Sequence, residues 1–129
     1  MSEPEMASAL EHESGLLGLA GTADMREVLS RSDDAAGLAL AVYVHRLRAG
    51  VAAMAASLGG LDALVFTGGV GENSAEIRAL ACAGLGFLGV SLDAGLNGSN
   101  EGDGLVGERV LVVRAREDLE IARQVRQVS

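Results

Sequence analysis

The part of this sequence best suited to chemistry is segment 69–73, with the residues GVGEN, which we call the glycine motif. It follows the apolar run 63–66 and precedes a helix-like stretch from Ser74. Glycine adopts positive φ and has no Cβ, so the backbone there can approach a ligand closely. A helix behind the glycines would direct free N–H groups and the positive end of its dipole at the same place. The motif therefore predicts a phosphate cradle.

The helix behind the motif has a recognisable start. Asn73 suits the N-cap position, and Glu76 suits the third helical position of a capping box. The motif lacks the Lys-Ser/Thr pair of a P-loop, and the third glycine of a dinucleotide fingerprint would fall on Ser74, so both templates are excluded. A plain glycine turn between a strand and a helix is the alternative, and the glycines alone do not decide between the two.

Segment 64–78, which contains the motif, resembles the nucleotide-binding signature of the acetate/propionate kinase family. In chain order, the segments that resemble the family are 13–21, Asp24-Met25-Arg26, 64–78, 87–93 and 117–122. The first two of these together are similar to one segment of the family, which there contacts the nucleotide. The likeness follows the family's order from about residue 13 to residue 125, and it covers the carboxyl-terminal part of a longer, two-domain enzyme.

The resemblance implies an ATP-dependent acetate kinase, which moves the γ-phosphoryl group of ATP to acetate and forms acetyl phosphate and ADP reversibly. It implies a single α/β domain over residues 1–129, the carboxyl-terminal half of an actin/hexokinase-like (ASKHA) kinase fold with a central sheet and packed helices. The expected cofactors are ATP or ADP and Mg²⁺. The short-chain carboxylate belongs to the full-length enzyme, whose acyl site lies largely outside this part. We therefore assign no catalytic residue and expect the chain by itself to be inactive.

The matched positions supply the candidate site residues. Those expected to bind the nucleotide are Asp24, Met25, Arg26, Gly69, Val70, Gly71, Glu72 and Asn73. Arg26 is a candidate to stack on the nucleotide or pair with it, since a planar guanidinium does either. Without the likeness, Asp24 and Arg26 indicate only a helix cap followed by a surface base. Glu72 would repel phosphates, so its expected task is positioning.

Glu117 matches the first carboxylate of a Glu-Glu pair that serves the family's Mg²⁺ site. Two differences accompany this match: the usual Pro-Thr before the pair is Arg114-Ala115 here, and the second carboxylate is Asp118. From the residues alone, Glu117 is a negative side chain that stabilises a helix amino end. Because Mg²⁺ takes few carboxylates plus phosphate oxygens, we expect Glu117 to hold the metal only together with a nucleotide.

The charge and composition of the chain narrow its possible partners. Its 129 residues have a net charge of −8, without a block of Lys and Arg or interleaved aromatic residues, so nucleic acid is excluded as a partner. Cys82 is the only cysteine, so no internal disulfide can form, and we expect a buried thiol in a reducing cytoplasm. The acidic start without an apolar h-region predicts no signal peptide.

Helical and strand periodicities predict the elements that must position these residues. Apolar residues at spacings of three and four predict a long helix from an N-cap at Ser32 to a stop at Gly59-Gly60. A histidine and two arginines within residues 45–48 interrupt it, and we take them to exclude a membrane span. Residues 4–12 are predicted as a short opening helix or a frayed lead-in. The other predictions are helices over 24–30, 73–86 and 117–128, strands over 61–67, 90–92 and 110–113, and loops over 15–21 and 94–107.

Alternating helices and strands, with the glycine motif at a strand's carboxyl end, indicate an α/β layer whose ligand lies at that edge. A different class of function stays open: a non-catalytic module that holds a nucleotide weakly or pairs with another chain through the same fold. The apolar stripe of the long helix predicts self-association, and the resemblance implies a homodimer formed through this region. The combined match of the segments disfavours a sugar or butyrate kinase of related fold.

Overall fold

The computed structural model describes residues 1–128 and contains helices, a mixed sheet and a 3₁₀ turn over Gly86–Leu88. In chain order, the helices are α1 (Glu3–His12), α2 (Gly15–Ala20), α3 (Met25–Ser30), α4 (Asp34–Leu58), α5 (Gly68–Asn73), α6 (Ala75–Cys82), α7 (Ala94–Gly98) and α8 (Glu117–Val128). The strands are β1 (Leu64–Phe66), β2 (Ser91–Leu92), β3 (Gly104–Glu108) and β4 (Val110–Val112). The predicted α/β class is confirmed.

The chain divides into two compact units, Met1–Ala53 and Met54–Ser129, and its assignment as a single domain stays a prediction.

Two aspartates begin helices in the first unit. The Asp24 side chain accepts a hydrogen bond from the Arg26 amide at 2.9 Å and caps α3, as predicted. The Asp33 side chain accepts from the backbone N–H three residues on at 3.1 Å, so Asp33 caps α4 and the predicted N-cap at Ser32 is wrong. Aspartate is among the best capping residues, and the ion pair with Arg31 holds the Asp33 carboxylate in place.

Segment 15–21, which we predicted as a loop, contains α2 over Gly15–Ala20. Gly15 and Gly21 lie at its two boundaries with φ of 65° and 73°, and the second glycine supplies a left-handed C-terminal stop. The Arg31 guanidinium donates a hydrogen bond to the Ala20 carbonyl at 2.6 Å, which satisfies one of the carbonyls left over at the helix end. The apolar stretch is too short to produce a periodic signal in the sequence, and this tertiary contact supports the helix.

The C-terminal end of α4 lies where the sequence predicted it. Gly59 has φ of 75°, its amide donates to the Ala56 carbonyl at 3.3 Å, and the Gly60 amide donates to the Ala55 carbonyl at 2.9 Å. These two bonds form a Schellman motif, which glycine at the left-handed position accommodates without strain.

By length and composition, α4 is apolar enough to cross a membrane, with a mean hydropathy of 1.3 over an 18-residue window. The core helix of a soluble protein passes the same test. A stretch of 18 residues with two charged side chains is still apolar enough to span a membrane. The basic residues within 45–48 therefore do not exclude a membrane span, contrary to the prediction.

The strands of the second unit form one sheet in the order β1-β4-β3-β2. β1 runs parallel to β4 with Val65 opposite Leu111, whereas β3 runs antiparallel to both of its neighbours. Val106 is an extra residue between the paired Leu105 and Gly107, so β3 contains a bulge. Buried aliphatic side chains, each contributing roughly 1.5–3 kcal/mol relative to exposure, form the core of this unit: Ile77, Leu85, Val90, Val106, Val110 and Val112.

Segment 94–107, which we predicted as a surface loop, contains α7 and most of β3. Asp93 caps α7 by accepting a hydrogen bond from the Leu96 amide at 2.8 Å. β3 was not predicted because glycines interrupt its apolar alternation. Packing requires the second of them, since a Cβ at Gly107 would lie 2.1 Å from the Ser91 carbonyl oxygen on β2. Only the neighbouring strand reveals that requirement.

The helix predicted over residues 73–86 is shorter than expected, since α6 covers only Ala75–Cys82, and the glycine motif before it is itself helical. α5 covers the motif, and α6 begins after Ser74, whose hydroxyl accepts from the Ile77 amide at 3.2 Å. The Asn73 side-chain amide instead donates to the Gly69 carbonyl at 2.8 Å within α5. The predicted capping box of Asn73 and Glu76 is therefore wrong, because the serine one position after Asn73 caps the helix.

Candidate functional site

The glycine motif joins β1 to α6, and one side of its backbone is open. Gly68, just before the motif, has φ of 74°, a left-handed conformation that favours glycine and turns the chain from β1 into α5. A Cβ added at Gly69 would meet no atom within 4 Å, whereas one at Gly71 would lie 3.4 Å from the Phe66 carbonyl carbon. α5 therefore packs on the end of β1 through Gly71 and leaves the backbone at Gly69 accessible to a ligand.

The Glu72 carboxylate faces backbone amides. Its Oε1 accepts hydrogen bonds from the Ala115 amide at 2.8 Å and from the Gly68 amide at 2.7 Å. The bond from Ala115 and then the bond from Gly68 lower the pKa of Glu72, so the side chain is ionised at neutral pH. The carboxylate joins the start of α5 to the segment that leads into α8. Direct contact of Glu72 with a nucleotide stays a prediction.

Arg78 is a residue of this region that the sequence analysis did not single out. It lies on α6 and is 1% exposed, and burial lowers the pKa of its guanidinium. The guanidinium donates from Nε to Asn97 Oδ1 at 2.6 Å, from Nη2 to Asn97 O at 3.0 Å, and from Nη1 to Gly71 O at 2.9 Å and Glu72 O at 2.8 Å. Spacing is the signal that could have found it, since Arg78 lies three and four residues before the apolar Ala81 and Cys82, on the face that α6 buries.

A cavity of about 210 Å³ lies beside these contacts within the second unit. Its lining includes Asn73, Arg78, Asn97, Asn100 and Arg114. The lining combines amides and guanidinium groups with two carboxylates, so the cavity suits a polar group. Ligand pockets usually measure roughly 300–1,000 Å³, so this cavity would admit only a part of a nucleotide.

In the first unit, Asp24 and Arg26 form an exposed ion pair. Arg26 Nη2 lies 2.8 Å from Asp24 Oδ2, and Arg26 Nε lies 3.2 Å from Asp24 Oδ1. The Arg26 hydrogen bonds lower the pKa of Asp24, and the same pair raises the pKa of Arg26. The Arg26 side chain is 90% exposed, whereas Met25 is 5% exposed, so the Met25 side chain packs inside the protein. Contact of these residues with a nucleotide stays a prediction.

Segment 24–26 and the glycine motif lie in different compact units, and Glu117 lies in the same unit as the motif. Glu117 is an exposed residue in the first turn of α8, two positions after Ala115, whose amide binds Glu72. Residues 1–128 contain no group of three or more His, Cys, Asp or Glu side chains arranged to hold a metal ion. A single exposed carboxylate fits Mg²⁺, which binds one or two carboxylates together with phosphate oxygens. Metal binding by Glu117 stays a prediction, and it would require a bound nucleotide.

Comparison with protein families matches residues 1–123 of this chain to the acetokinase family. Among curated proteins, the acetate kinase of Gloeobacter violaceus is 50% identical over 124 residues, which cover 89% of this chain and 31% of that enzyme. The acetate kinase of Streptomyces coelicolor is 47% identical over 134 residues, which cover 96% of this chain and 33% of that enzyme. The chain thus spans about a third of the length of the curated relatives it matches.

Solved structures show the same relationship. The acetate kinase of Porphyromonas gingivalis matches with a TM-score of 0.90 at 32% identity, over 99% of this chain and 35% of that one. The propionate kinase of Francisella tularensis matches with a TM-score of 0.85 at 38% identity, over 95% of this chain and 33% of that one. These neighbours confirm the predicted fold, half of an actin/hexokinase-like kinase. Because the family match covers nearly all of its residues, the chain belongs to the acetokinase family.

Proposed function

We propose that this chain forms the nucleotide-binding part of an ATP-dependent acetate kinase. The reaction transfers the γ-phosphoryl group of ATP to the carboxylate of acetate, forms acetyl phosphate and ADP, and runs in both directions. The observation that supports this proposal most directly is the open backbone at Gly69, at the carboxyl end of β1, in a chain whose relatives are named acetate kinases. Ligands of open α/β sheets bind at this edge.

Each candidate residue has a separate role in this proposal. The glycine motif presents its backbone to the nucleotide, while Glu72 keeps that backbone in place through its two amide contacts. Arg26 offers an exposed, planar guanidinium, oriented by Asp24, that stacks on the nucleotide or pairs with it. Glu117 provides a carboxylate for Mg²⁺, which neutralises phosphate charge when it is bound.

We further propose that these 129 residues bind a nucleotide without turning over acetate by themselves. Phosphoryl transfer requires an acceptor held in line and positive charge around the transferred group. We assign none of the described residues to holding acetate. A partial site lacks some of the contacts and the closure of a complete one, so we propose nucleotide affinities in roughly the micromolar to millimolar range.

Calorimetry and ¹⁵N NMR of the chain with ATP or ADP test this function. We expect amide shifts in segments 24–26 and 69–73, and we expect Arg26→Ala to weaken binding about tenfold through the loss of a charged contact. Arg123→Ala is the matched control, because it removes an exposed arginine from an ion pair with Glu120. The absence of any shift at millimolar nucleotide would overturn nucleotide binding. Robust formation of acetyl phosphate by the isolated chain would contradict the proposal that the chain is inactive by itself.

The alternative function is a non-catalytic module that binds a nucleotide or only pairs with a second copy. Exposed apolar side chains on α4 favour pairing: Leu38, Val42, Met54 and Leu58. In either case we propose a cytoplasmic homodimer without nucleic-acid or membrane partners. Light scattering should give twice the chain's mass of 13.1 kDa, and a strict monomer at high concentration would contradict the homodimer.

A further inference from the structure

Arg78 and Asn97 form a buried polar pair beside the glycine motif. Arg78 is 1% exposed and Asn97 is 5% exposed. Asn97 accepts from the guanidinium through its side-chain and main-chain oxygens and donates its own Nδ2–H to the Ala75 carbonyl at 2.8 Å. Among the described side chains of residues 1–126, no buried nitrogen or oxygen lacks a hydrogen-bond partner. The pair is therefore a fully satisfied network that links α6 to α7.

The remaining two bonds of Arg78 end on the glycine motif. They go to the carbonyls of Gly71 and Glu72, in the last turn of α5, where helix carbonyls have no partners within the helix. The C-terminal end of a helix is also the negative end of its dipole. The positively charged guanidinium thus donates hydrogen bonds to two carbonyl oxygens at the negative end of the helix dipole, which favours a cation.

α5 needs such support because its own sequence is a poor helix former. It has six residues, GGVGEN, and isolated helices shorter than roughly 12–15 residues are marginal in water. Each of its three glycines costs up to about 1 kcal/mol relative to alanine in a helix. Contacts from outside must therefore hold the motif in its helical form. From outside α5, Arg78 binds two carbonyls at its end, and the Ala115 amide binds the Glu72 carboxylate, which also accepts from the amide at the start of the helix.

We propose that Arg78, oriented by Asn97, is the positioning residue that holds the glycine motif in the conformation that receives the nucleotide. The inference rests on the proposed nucleotide-binding function. The planar guanidinium matters because it reaches two carbonyls with Nη1 while Nε and Nη2 stay on Asn97. A lysine ammonium is a point charge on a flexible stem and cannot reproduce this fork.

The test compares Arg78→Lys with Arg109→Lys in the full chain. Arg109 is the matched control, since it also donates to a backbone carbonyl of the second unit, that of Leu61, away from the motif. In Arg78→Lys, we expect those amides of residues 69–73 that donate within α5 to exchange with solvent about tenfold faster or more, and the affinity for ADP to fall about tenfold. Arg109→Lys should change neither quantity.

A merely structural role of Arg78 would lower the unfolding temperature without a selective change at the motif. We therefore compare exchange at residues 69–73 with exchange in β4, below the melting temperature of each variant. In Arg78→Ala, millimolar guanidinium should restore part of the ADP affinity by filling the vacated site. If Arg78→Lys does not fold, Asn97→Ser tests the same network, because it keeps Arg78 and alters the acceptor for Nε. We expect the same selective changes with a smaller amplitude.

The outcomes separate this inference from the proposed function. If the wild-type chain binds no nucleotide, the proposed function fails, and the exchange of residues 69–73 still decides whether Arg78 positions the motif. If the wild-type chain binds ADP and folded Arg78→Lys binds it equally well with unchanged exchange at the motif, the inference is overturned while the function stands.

Discussion

The Glu72 carboxylate and the Ala115 amide, 43 positions apart in the chain, are joined by a hydrogen bond of 2.8 Å. The same carboxylate oxygen accepts from the Gly68 amide, so one atom ties the start of α5 to the segment before α8. The proposed nucleotide contact and the proposed metal ligand Glu117 lie on these two segments. The hydrogen bond between Glu72 and Ala115 therefore couples the positions of these two parts of the candidate site within the second unit.

Glu72→Gln should reduce the pH dependence of stability. The pKa of Glu72 lies below its usual 4.5 in the folded chain, so the stabilisation is fully present above 4.5 and is lost as the pH falls through the folded value. Urea unfolding at neutral pH and at about pH 3 measures this loss, and the difference should be smaller in Glu72→Gln than in the wild type. Glu108→Gln, at an exposed position of β3, is the control. An equal difference in wild type and Glu72→Gln would contradict the role of the carboxylate.

Gly69→Ala should preserve the fold and weaken nucleotide binding. A Cβ there meets no protein atom within 4 Å, and alanine favours the helix, so we expect an unchanged or higher melting temperature. If the nucleotide approaches this backbone, the added methyl group should raise the dissociation constant of the nucleotide about tenfold, which corresponds to about 1.4 kcal/mol of binding free energy. Calorimetry with ADP measures the effect. Binding as tight as that of the wild type would place the nucleotide elsewhere.

Gly107→Ala should destabilise the second unit strongly. Its Cβ would lie 2.1 Å from the Ser91 carbonyl oxygen and 2.7 Å from the Leu92 Cα, so β2 and β3 would have to separate. Overpacking of this kind costs about 1–3 kcal/mol or more. Gly50→Ala, in an open position of α4, is the control and should gain up to about 1 kcal/mol. Chemical denaturation compares the two, and equal stabilities would show that the strands can move apart freely.

The Cys82 thiol should resist modification in the folded chain. It is buried on α6, as the sequence predicted, and burial raises the pKa of the thiol. Because the thiolate is the reactive form, a disulfide reagent at neutral pH should react slowly with the native chain and rapidly in urea. Reaction of the native chain at the unfolded rate would contradict the burial of Cys82.

Local signals in the sequence determined the ends of several elements. The cap at Asp24, the glycine stop after α4 and the start of α8 at Glu117 all lie where the sequence placed them. Such signals succeed because caps and left-handed stops act within a few residues of the chain. The resemblance to the acetate/propionate kinase family also followed from the order of short segments and is confirmed by the comparisons.

Tertiary structure decided the features that depend on residues far apart in the chain. The buried Arg78 guanidinium is hydrogen-bonded to Asn97, which follows it by 19 positions, and to two carbonyls of the glycine motif. The need for glycine at position 107 arises only where β2 passes against β3. A sequence states which side chains are polar or small, but the contacts that compensate a buried charge or forbid a methyl group exist only once the elements are packed.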